Sequence, residues 1–109
     1  MRPPASPDLD GPAFHIVLAL GTDAMHGYAI MQSIEERTGG KIRILPGTLY
    51  ATMKKLLADR LVEECDAPKG TDSTDERRRY YRVTKAGKVA VKARTAHLAL
   101  LVKLGKAFE

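Results

Sequence analysis

A single stretch, residues 45–60, constrains the fold most strongly because its pattern predicts one amphipathic helix. Pro46 suits the first helical position, where the N–H group that proline lacks would have no partner in any case. Apolar side chains recur at the spacing of one helical face: Leu49, Met53, Leu56 and Leu57. The opposite face carries small, hydroxylic or cationic side chains: Thr48, Ala51, Thr52, Lys55 and Ala58. Such a face suits the groove of a DNA duplex, because bulky or acidic side chains would hold the helix away from it.

Charge along the chain is segregated rather than evenly mixed. The formal net charge is +5, from 18 basic and 13 acidic residues. Residues 41–60 carry five basic residues and one acid, whereas residues 77–94 carry eight basic residues and no acid. Residues 63–76 carry six acids and one lysine. This segregation favours binding to a polyanion, although a solvated surface alone would produce part of the pattern.

Length and composition narrow the class of protein. A chain of 109 residues with 44% hydrophobic content can bury one modest core, so we expect one domain. The single cysteine, Cys65, excludes an internal disulfide and fits a reducing compartment. The sequence shows no secretory signal and no run of roughly 20 apolar residues, so we expect a soluble cytoplasmic protein without a membrane anchor.

The elements before residue 45 predict two helices and a short strand. Residues 1–11 are rich in proline and aspartate and predict a flexible N-terminal arm. One helix should run from Pro12 to Leu20, and a second from Met25 to about Thr38. Residues 41–44 alternate and predict a short strand with both isoleucines inward. Together with the basic helix from Pro46, this order is a helix-turn-helix.

The residues after the basic helix predict a β-hairpin. Residues 61–65 and 77–83 are the two strands, and residues 66–76 are a polar, turn-rich loop. If Tyr81 and Val83 face the core, Arg78 and Arg82 point outward. A hairpin directly after a helix-turn-helix is a wing. The predicted fold class is therefore mostly α with a small β-hairpin, a winged helix-turn-helix over residues 12–84.

The sequence of residues 85–109 predicts a last helix that serves as a dimerisation element. Small and apolar residues step by four and three along it, and a terminal helix this apolar has little of its own domain left to cover. We therefore predict a homodimer, with a helix folded back on its own core as the alternative. The predicted interface residues are Phe14, Leu18, Ala90, Ala93, His97, Leu100, Leu101, Leu104 and Phe108.

Four motifs in this order resemble the PadR family of transcriptional regulators, over roughly residues 14–94. They are Met25-His26-Gly27-Tyr28-Ala29-Ile30, Ile34-Glu35-Glu36-Arg37-Thr38-Gly39-Gly40, Leu45-Pro46-Gly47-Thr48-Leu49-Tyr50 and Arg79-Tyr80-Tyr81-Arg82-Val83-Thr84-Lys85-Ala86-Gly87. The short length resembles the subgroup with a single C-terminal helix. The resemblance implies a dimeric winged-helix protein that binds operator DNA, usually as a repressor. It also implies release by a small effector in many members, an aromatic compound bound between subunits in some.

The DNA-binding residues are predicted from the basic helix, the start of the second helix and the wing. They are His26, Tyr28, Gly47, Thr48, Tyr50, Thr52, Lys54, Lys55, Lys69, Arg77 and Arg78. Several have a simpler alternative. For each lysine of the basic helix, the alternative is a solvated surface residue that contacts nothing. For Tyr50 the alternative is a residue packed in the core, and for His26 it is an ordinary surface residue at the start of a helix.

Other functions find little support in the sequence. The histidines and Cys65 match no usual spacing of metal ligands, so we expect no metal and no cofactor. The chain has no glycine-rich phosphate loop and no nucleophile elbow, so we expect no enzyme. The rival hypothesis from another class is a winged-helix module that binds protein without binding DNA.

Overall fold

The computed structural model describes residues 9–21, 23–70 and 78–109, and these form four helices and one small sheet. The helices are α1 (Gly11–Leu20), α2 (Gly27–Arg37), α3 (Pro46–Ala58) and α4 (Lys85–Gly105), and a 3-10 turn covers Lys106–Phe108. The strands are β1 (Met25–His26), β2 (Val62–Cys65) and β3 (Tyr80–Val83). The predicted class, mostly helical with a winged helix-turn-helix, is confirmed.

The three-helix core explains why α3 can present one face outward. Helices α1, α2 and α3 all contact one another. Ile16 of α1, Ile30 of α2 and Leu49 of α3 are fully buried between them. The predicted apolar face of α3 is therefore confirmed, since Met53 and Leu56 are buried with Leu49. Burial of that face turns the opposite side of the helix to solvent.

The predicted strand at residues 41–44 is wrong. This segment has no regular secondary structure, although Ile44 is buried and Ile42 is half-buried, so both side chains lie inward as predicted. The Ile42 N–H donates to the Thr38 hydroxyl at 3.0 Å, and that hydroxyl donates to the Ile34 carbonyl at 2.8 Å. The Thr38 side chain, at the end of α2, therefore forms hydrogen bonds with a backbone segment that the prediction had paired in a β-sheet.

The third strand lies instead at Met25 and His26, where the sequence predicted the start of the second helix. The sheet is antiparallel in the order β1-β3-β2, with Met25 opposite Tyr81 and His26 opposite Tyr80. The predicted hairpin is confirmed, with β2 and β3 paired from Val62–Val83 to Cys65–Tyr80. Tyr81 is buried and Arg82 is exposed, as the alternation predicted. Strand β1 ties the start of α2 to the wing.

Helix α4 packs on the domain only through its first turns. Its buried residues are Gly87 and Ala90, and a Cβ added at Gly87 would lie 2.1 Å from the Leu61 carbonyl oxygen. The Thr84 hydroxyl accepts a hydrogen bond from the Gly87 N–H at 3.0 Å and so caps the helix. Beyond Leu98, every residue of α4 is exposed.

The structure differs from the predicted N-terminal arm at its last residues. Leu9 is 4% exposed and belongs to the hydrophobic core, and Gly11 is already in α1. The Asp10 carboxylate forms an ion pair with Arg94 of α4. The rest of the predicted arm, residues 1–8, lies outside the described residues. In the part of the chain that is described, no helix is long and apolar enough to cross a membrane.

Candidate nucleic-acid interface

The outer face of α3 is open to solvent at its N-terminal end. Thr48, Lys54 and Lys55 are exposed, and Thr52 is half-buried. A Cβ added at Gly47 would meet no protein atom within 4 Å, so packing inside this chain does not demand glycine there. The polar side of α3 is therefore available to a partner over its first two turns, and its backbone can be approached closely at Gly47.

Thr52 and Lys55 lie on the other flank of α3, toward α1. They line a cavity of about 380 Å³ between the two helices, together with Asp10 and Asp59. Asp10 is already paired with Arg94, so Asp59 is the acid of this cavity that reduces the local positive charge around Lys55. The two residues are thus separated from the N-terminal end of α3 and lie beside local acids.

A second cavity brings together predicted residues from three separate parts of the chain. Its volume is about 480 Å³, and it is lined by His26, Gly27, Tyr28, Tyr50, Arg78, Arg79 and Tyr81. The start of α2, the start of α3 and the start of β3 meet here because β1 pairs with β3. We call this set the tyrosine–arginine cleft.

Two of the three tyrosines of the cleft face solvent. Tyr28 and Tyr50 are each 58% exposed, and the Tyr28 hydroxyl accepts a hydrogen bond from Gln32 Nε2 at 3.2 Å. A Cβ added at Gly27 would lie 3.3 Å from the Tyr50 hydroxyl oxygen and 3.1 Å from Leu49 Cδ2. Glycine at position 27 therefore lets α2 lie close to α3, which places the two tyrosines in one cleft.

His26 joins α2 to the wing. Its Nδ1 accepts a hydrogen bond from the Ala29 N–H at 3.2 Å and so caps α2, while its Nε2 lies 3.1 Å from Arg78 Nη1. The ring also packs edge-on against Tyr80, with the two centroids 5.4 Å apart. Burial, and secondly the charge of Arg78, lower the pKa of His26 below its usual 6.5. The ring is therefore neutral at pH 7.

Arg79 and Arg82 of the wing lie beside acidic residues of β2. Arg82 Nε donates to Glu63 Oε1 at 2.8 Å, and Arg79 Nε lies 4.0 Å from Glu64 Oε1. Lys69 is exposed in the loop, and Arg77 lies outside the described residues. Arg78, which precedes β3, lies next to His26, and Arg79 lines the same cavity.

Comparison with known proteins decides the family. The model of the transcriptional regulator PadR-like family matches residues 16–93. The chain belongs to the PadR-like family. Its members are transcriptional regulators, and four helices with a small antiparallel sheet in this PadR-like chain match their winged-helix fold.

Individual relatives match this PadR-like chain in sequence or in fold. An uncharacterized protein from Lysinibacillus sphaericus is 37% identical over 78 residues, which are 72% of this chain and 62% of that protein. The chain therefore spans less than two thirds of that relative's length. A PadR family transcription regulator from Clostridium difficile has a TM-score of 0.70 at 22% identity, over 86% of this chain and 93% of that one. Bacillus subtilis PadR in complex with operator DNA has a TM-score of 0.62 at 21% identity, over 75% of this chain and 45% of that one.

Sequence reasoning did not identify three of the residues that line the cleft in this PadR-like chain: Gly27, Arg79 and Tyr81. The sequence left Tyr81 as a core-facing residue of its strand, and burial in the core raises the pKa of its hydroxyl above the usual 10. Only the β1–β3 pairing brings its ring to the cleft wall, and a two-residue strand leaves no periodic signal. Gly27 had no distinguishing signal, because Gly47 also lies in a first helical turn and a Cβ added there would meet no protein atom within 4 Å.

The sequence left Cys65 and the histidines as the residues to test for metal binding. Within residues 9–21, 23–70 and 78–109, no three His, Cys, Asp or Glu side chains lie close enough together to hold a metal ion. Cys65 is half-buried, and burial raises the pKa of its thiol. A thiol held in its protonated form is a poor nucleophile and a poor ligand.

Proposed function

We propose that this PadR-like chain is a homodimeric, sequence-specific DNA-binding protein that represses transcription from a palindromic operator. The observation that carries the proposal is the exposed N-terminal end of α3 beside the tyrosine–arginine cleft. Aromatic rings, two arginines and the hydroxylic face of α3 are there on one open surface. Phosphate and sugar contacts by such groups orient a recognition helix, whose N-terminal residues then reach base edges.

The proposed contacts divide by position. Gly47, Thr48, Tyr50 and Lys54 extend from the open end of α3 and would lie in or beside the major groove. His26, Tyr28 and Arg78 would bind the sugar–phosphate backbone next to it. Thr52 and Lys55, on the flank toward α1, would contact backbone at the edge of the groove. Lys69 and Arg77 of the wing stay predictions.

The homodimer is proposed from the uncovered part of α4. At about 1.5 Å per residue, its 21 residues extend about 31 Å, and only the first turns pack on the domain. Leu100 and Leu104 are 52% and 57% exposed, and Phe108 is 93% exposed. Exposure of several large apolar side chains on one helix is unfavourable in water, and a second copy of α4 would cover them.

The predicted interface fits this dimer with one adjustment. Ala90 is buried in its own domain, and Phe14 is half-buried against the core, so neither offers much surface to a partner. The surface that remains on α4 starts at Ala93, continues through His97 and ends at Phe108, and Leu18 of α1 is also exposed. We propose that two copies pair through this part of α4.

Release by a small aromatic effector also stays a prediction. Pairing through α4 would bring residues of two copies together, and the resemblance implies a ligand bound between subunits. A protein that acts on chromosomal DNA would work in the cytoplasm, as the sequence predicts.

The proposal is tested by gel shift on the protein's own promoter, with charge reversals on α3. Lys54→Glu and Thr48→Glu should each weaken binding at least about tenfold, because a carboxylate beside phosphates is repelled. Lys88→Glu, at an exposed lysine in the first turns of α4 that belongs to neither the proposed DNA contacts nor the proposed dimer surface, makes the same charge change as Lys54→Glu and should bind nearly as the wild type does. Equal binding by all four proteins would refute the assignment of α3.

A further inference from the structure

Leu45, the residue at which α3 begins, is an exposed leucine at a position where the helix would be stabilised by a polar side chain. It is 59% exposed, and its side chain forms no capping hydrogen bond. Its carbonyl oxygen accepts from the Leu49 N–H at 2.9 Å, which any residue could do. Serine, threonine, aspartate and asparagine are preferred there because their side chains accept from a helical N–H, as Thr84 does for α4. Leu45 therefore serves neither as a cap nor as a buried core residue.

The segment that leads into α3 places Leu45 in a row with two cations. The two isoleucines of residues 41–44 lie inward, whereas Lys41, Arg43 and Leu45 are exposed. Neither Lys41 nor Arg43 forms an ion pair with an acid in the described part of the chain, and residues 37–58 contain no acid at all. The row therefore attracts a polyanion and sets one apolar side chain beside the cations.

The place of Leu45 in the fold limits what its side chain can meet on DNA. The first residues of a recognition helix are the ones that reach base edges, and Thr48, one turn further along, is exposed as well. The major groove presents hydrogen-bonding groups on every base pair, but its one apolar group is the 5-methyl of thymine. A leucine side chain forms no hydrogen bonds, so this methyl group is the feature of the groove that it complements.

We propose that Leu45 packs against the 5-methyl group of one thymine in each half-site and so selects thymine at that base pair. This inference rests on the proposed DNA binding and adds a residue that determines sequence specificity. Arg43, two residues earlier on the same exposed side, binds a phosphate beside that nucleotide and holds the segment against the edge of the groove. The leucine thus gives up a cap in the unbound protein for a contact that forms only on DNA.

The thymine contact is tested with promoter duplexes in which single thymines are replaced, one at a time, by deoxyuridine, which lacks only the 5-methyl group. The proteins are the wild type, Leu45→Ser and Lys54→Gln. Serine is a favoured N-cap, so Leu45→Ser strengthens the start of α3 while it removes the apolar contact. Lys54→Gln is the matched control, because it weakens binding through a neighbouring contact and leaves Leu45 in place.

At one thymine per half-site, deoxyuridine should weaken wild-type binding about fourfold, the effect of burying one methyl-sized group, and about fifteenfold when both half-sites are changed. Leu45→Ser should be insensitive at that position and should respond as the wild type does at every other thymine. Lys54→Gln should bind more weakly but keep the fourfold loss. Urea unfolding of Leu45→Ser should show no loss of stability, so that its weaker binding cannot be a folding defect.

The inference is overturned if deoxyuridine affects the wild type and Leu45→Ser alike at every thymine. Sensitivity that persists in Leu45→Ser would mean that another group contacts the methyl, and insensitivity of both proteins would leave Leu45 without a base contact. Failure of the wild type to bind any promoter duplex would instead contradict the proposed function itself. NMR of the wild-type complex gives a second measurement: a nuclear Overhauser effect should join the Leu45 δ-methyl and thymine 5-methyl protons, and its absence would also overturn the inference.

Discussion

At the scale of single residues, His26 links stability to pH. Its pKa in the folded protein lies below the usual 6.5, through burial and then the charge of Arg78. The unfolded chain therefore binds a proton more readily than the folded one. The stabilisation from neutral His26 is complete above about pH 6.5 and is lost as the pH falls below it.

We predict that acidification from pH 7 lowers the free energy of unfolding of the wild type more steeply than that of His26→Asn. Asparagine keeps a cap on α2 and does not titrate, whereas His15 and His97 are common to both proteins. Urea unfolding followed by circular dichroism at pH 7.5, 6.5 and 5.5 measures the difference. Parallel stability curves for the two proteins would mean that His26 titrates alike in the folded and unfolded states.

At the scale of elements, regular periodicity determined what could be predicted. The apolar face of α3 and the alternation of Tyr81 and Arg82 are local patterns, and both are found in the structure. Residues 41–44 have the same alternation, but a strand needs a partner, and the Thr38 hydroxyl binds that backbone instead. Pairing is non-local, so periodicity cannot decide it. For the same reason, periodicity did not predict β1, and the assembly of the tyrosine–arginine cleft could not be predicted without that strand.

The attachment of α4 to the sheet gives a prediction at this scale. A Cβ at Gly87 would lie 2.1 Å from the Leu61 carbonyl oxygen and 2.7 Å from Val83 Cγ1, so α4 would have to move off β2 and β3. We expect Gly87→Ala to lower the free energy of unfolding by about 3 kcal/mol, at the upper end of the usual cost of overpacking.

Gly105→Ala is the matched control for that substitution. A Cβ at Gly105 would meet nothing within 4 Å, and alanine favours a helix interior by up to about 1 kcal/mol over glycine. Urea unfolding of the two variants should therefore show a large loss for one and none for the other. Similar stability for Gly87→Ala and the wild type would contradict the tight packing of α4 on the Leu61 backbone.

At the scale of the whole molecule, the account requires a dimer. Leu100→Asp combined with Leu104→Asp places two charges on the apolar part of α4, so the protein should become a 12 kDa monomer at micromolar concentration. Leu45→Asp is a matched change of an exposed leucine outside α4 and should leave the dimer intact. Sedimentation equilibrium distinguishes the two forms. A wild type that sediments only as the monomer would reject the proposed pairing of α4.

The central claim, that the open face of α3 and the cleft beside it bind duplex DNA, is tested most directly by the salt dependence of binding. The measurement is the affinity for a duplex from the protein's own promoter between about 50 and 200 mM salt. A dimer contacting roughly 6–10 phosphates should lose about 10³–10⁵ in affinity over that range. Absence of duplex binding at every salt concentration would contradict the claim and favour a winged-helix module that binds protein.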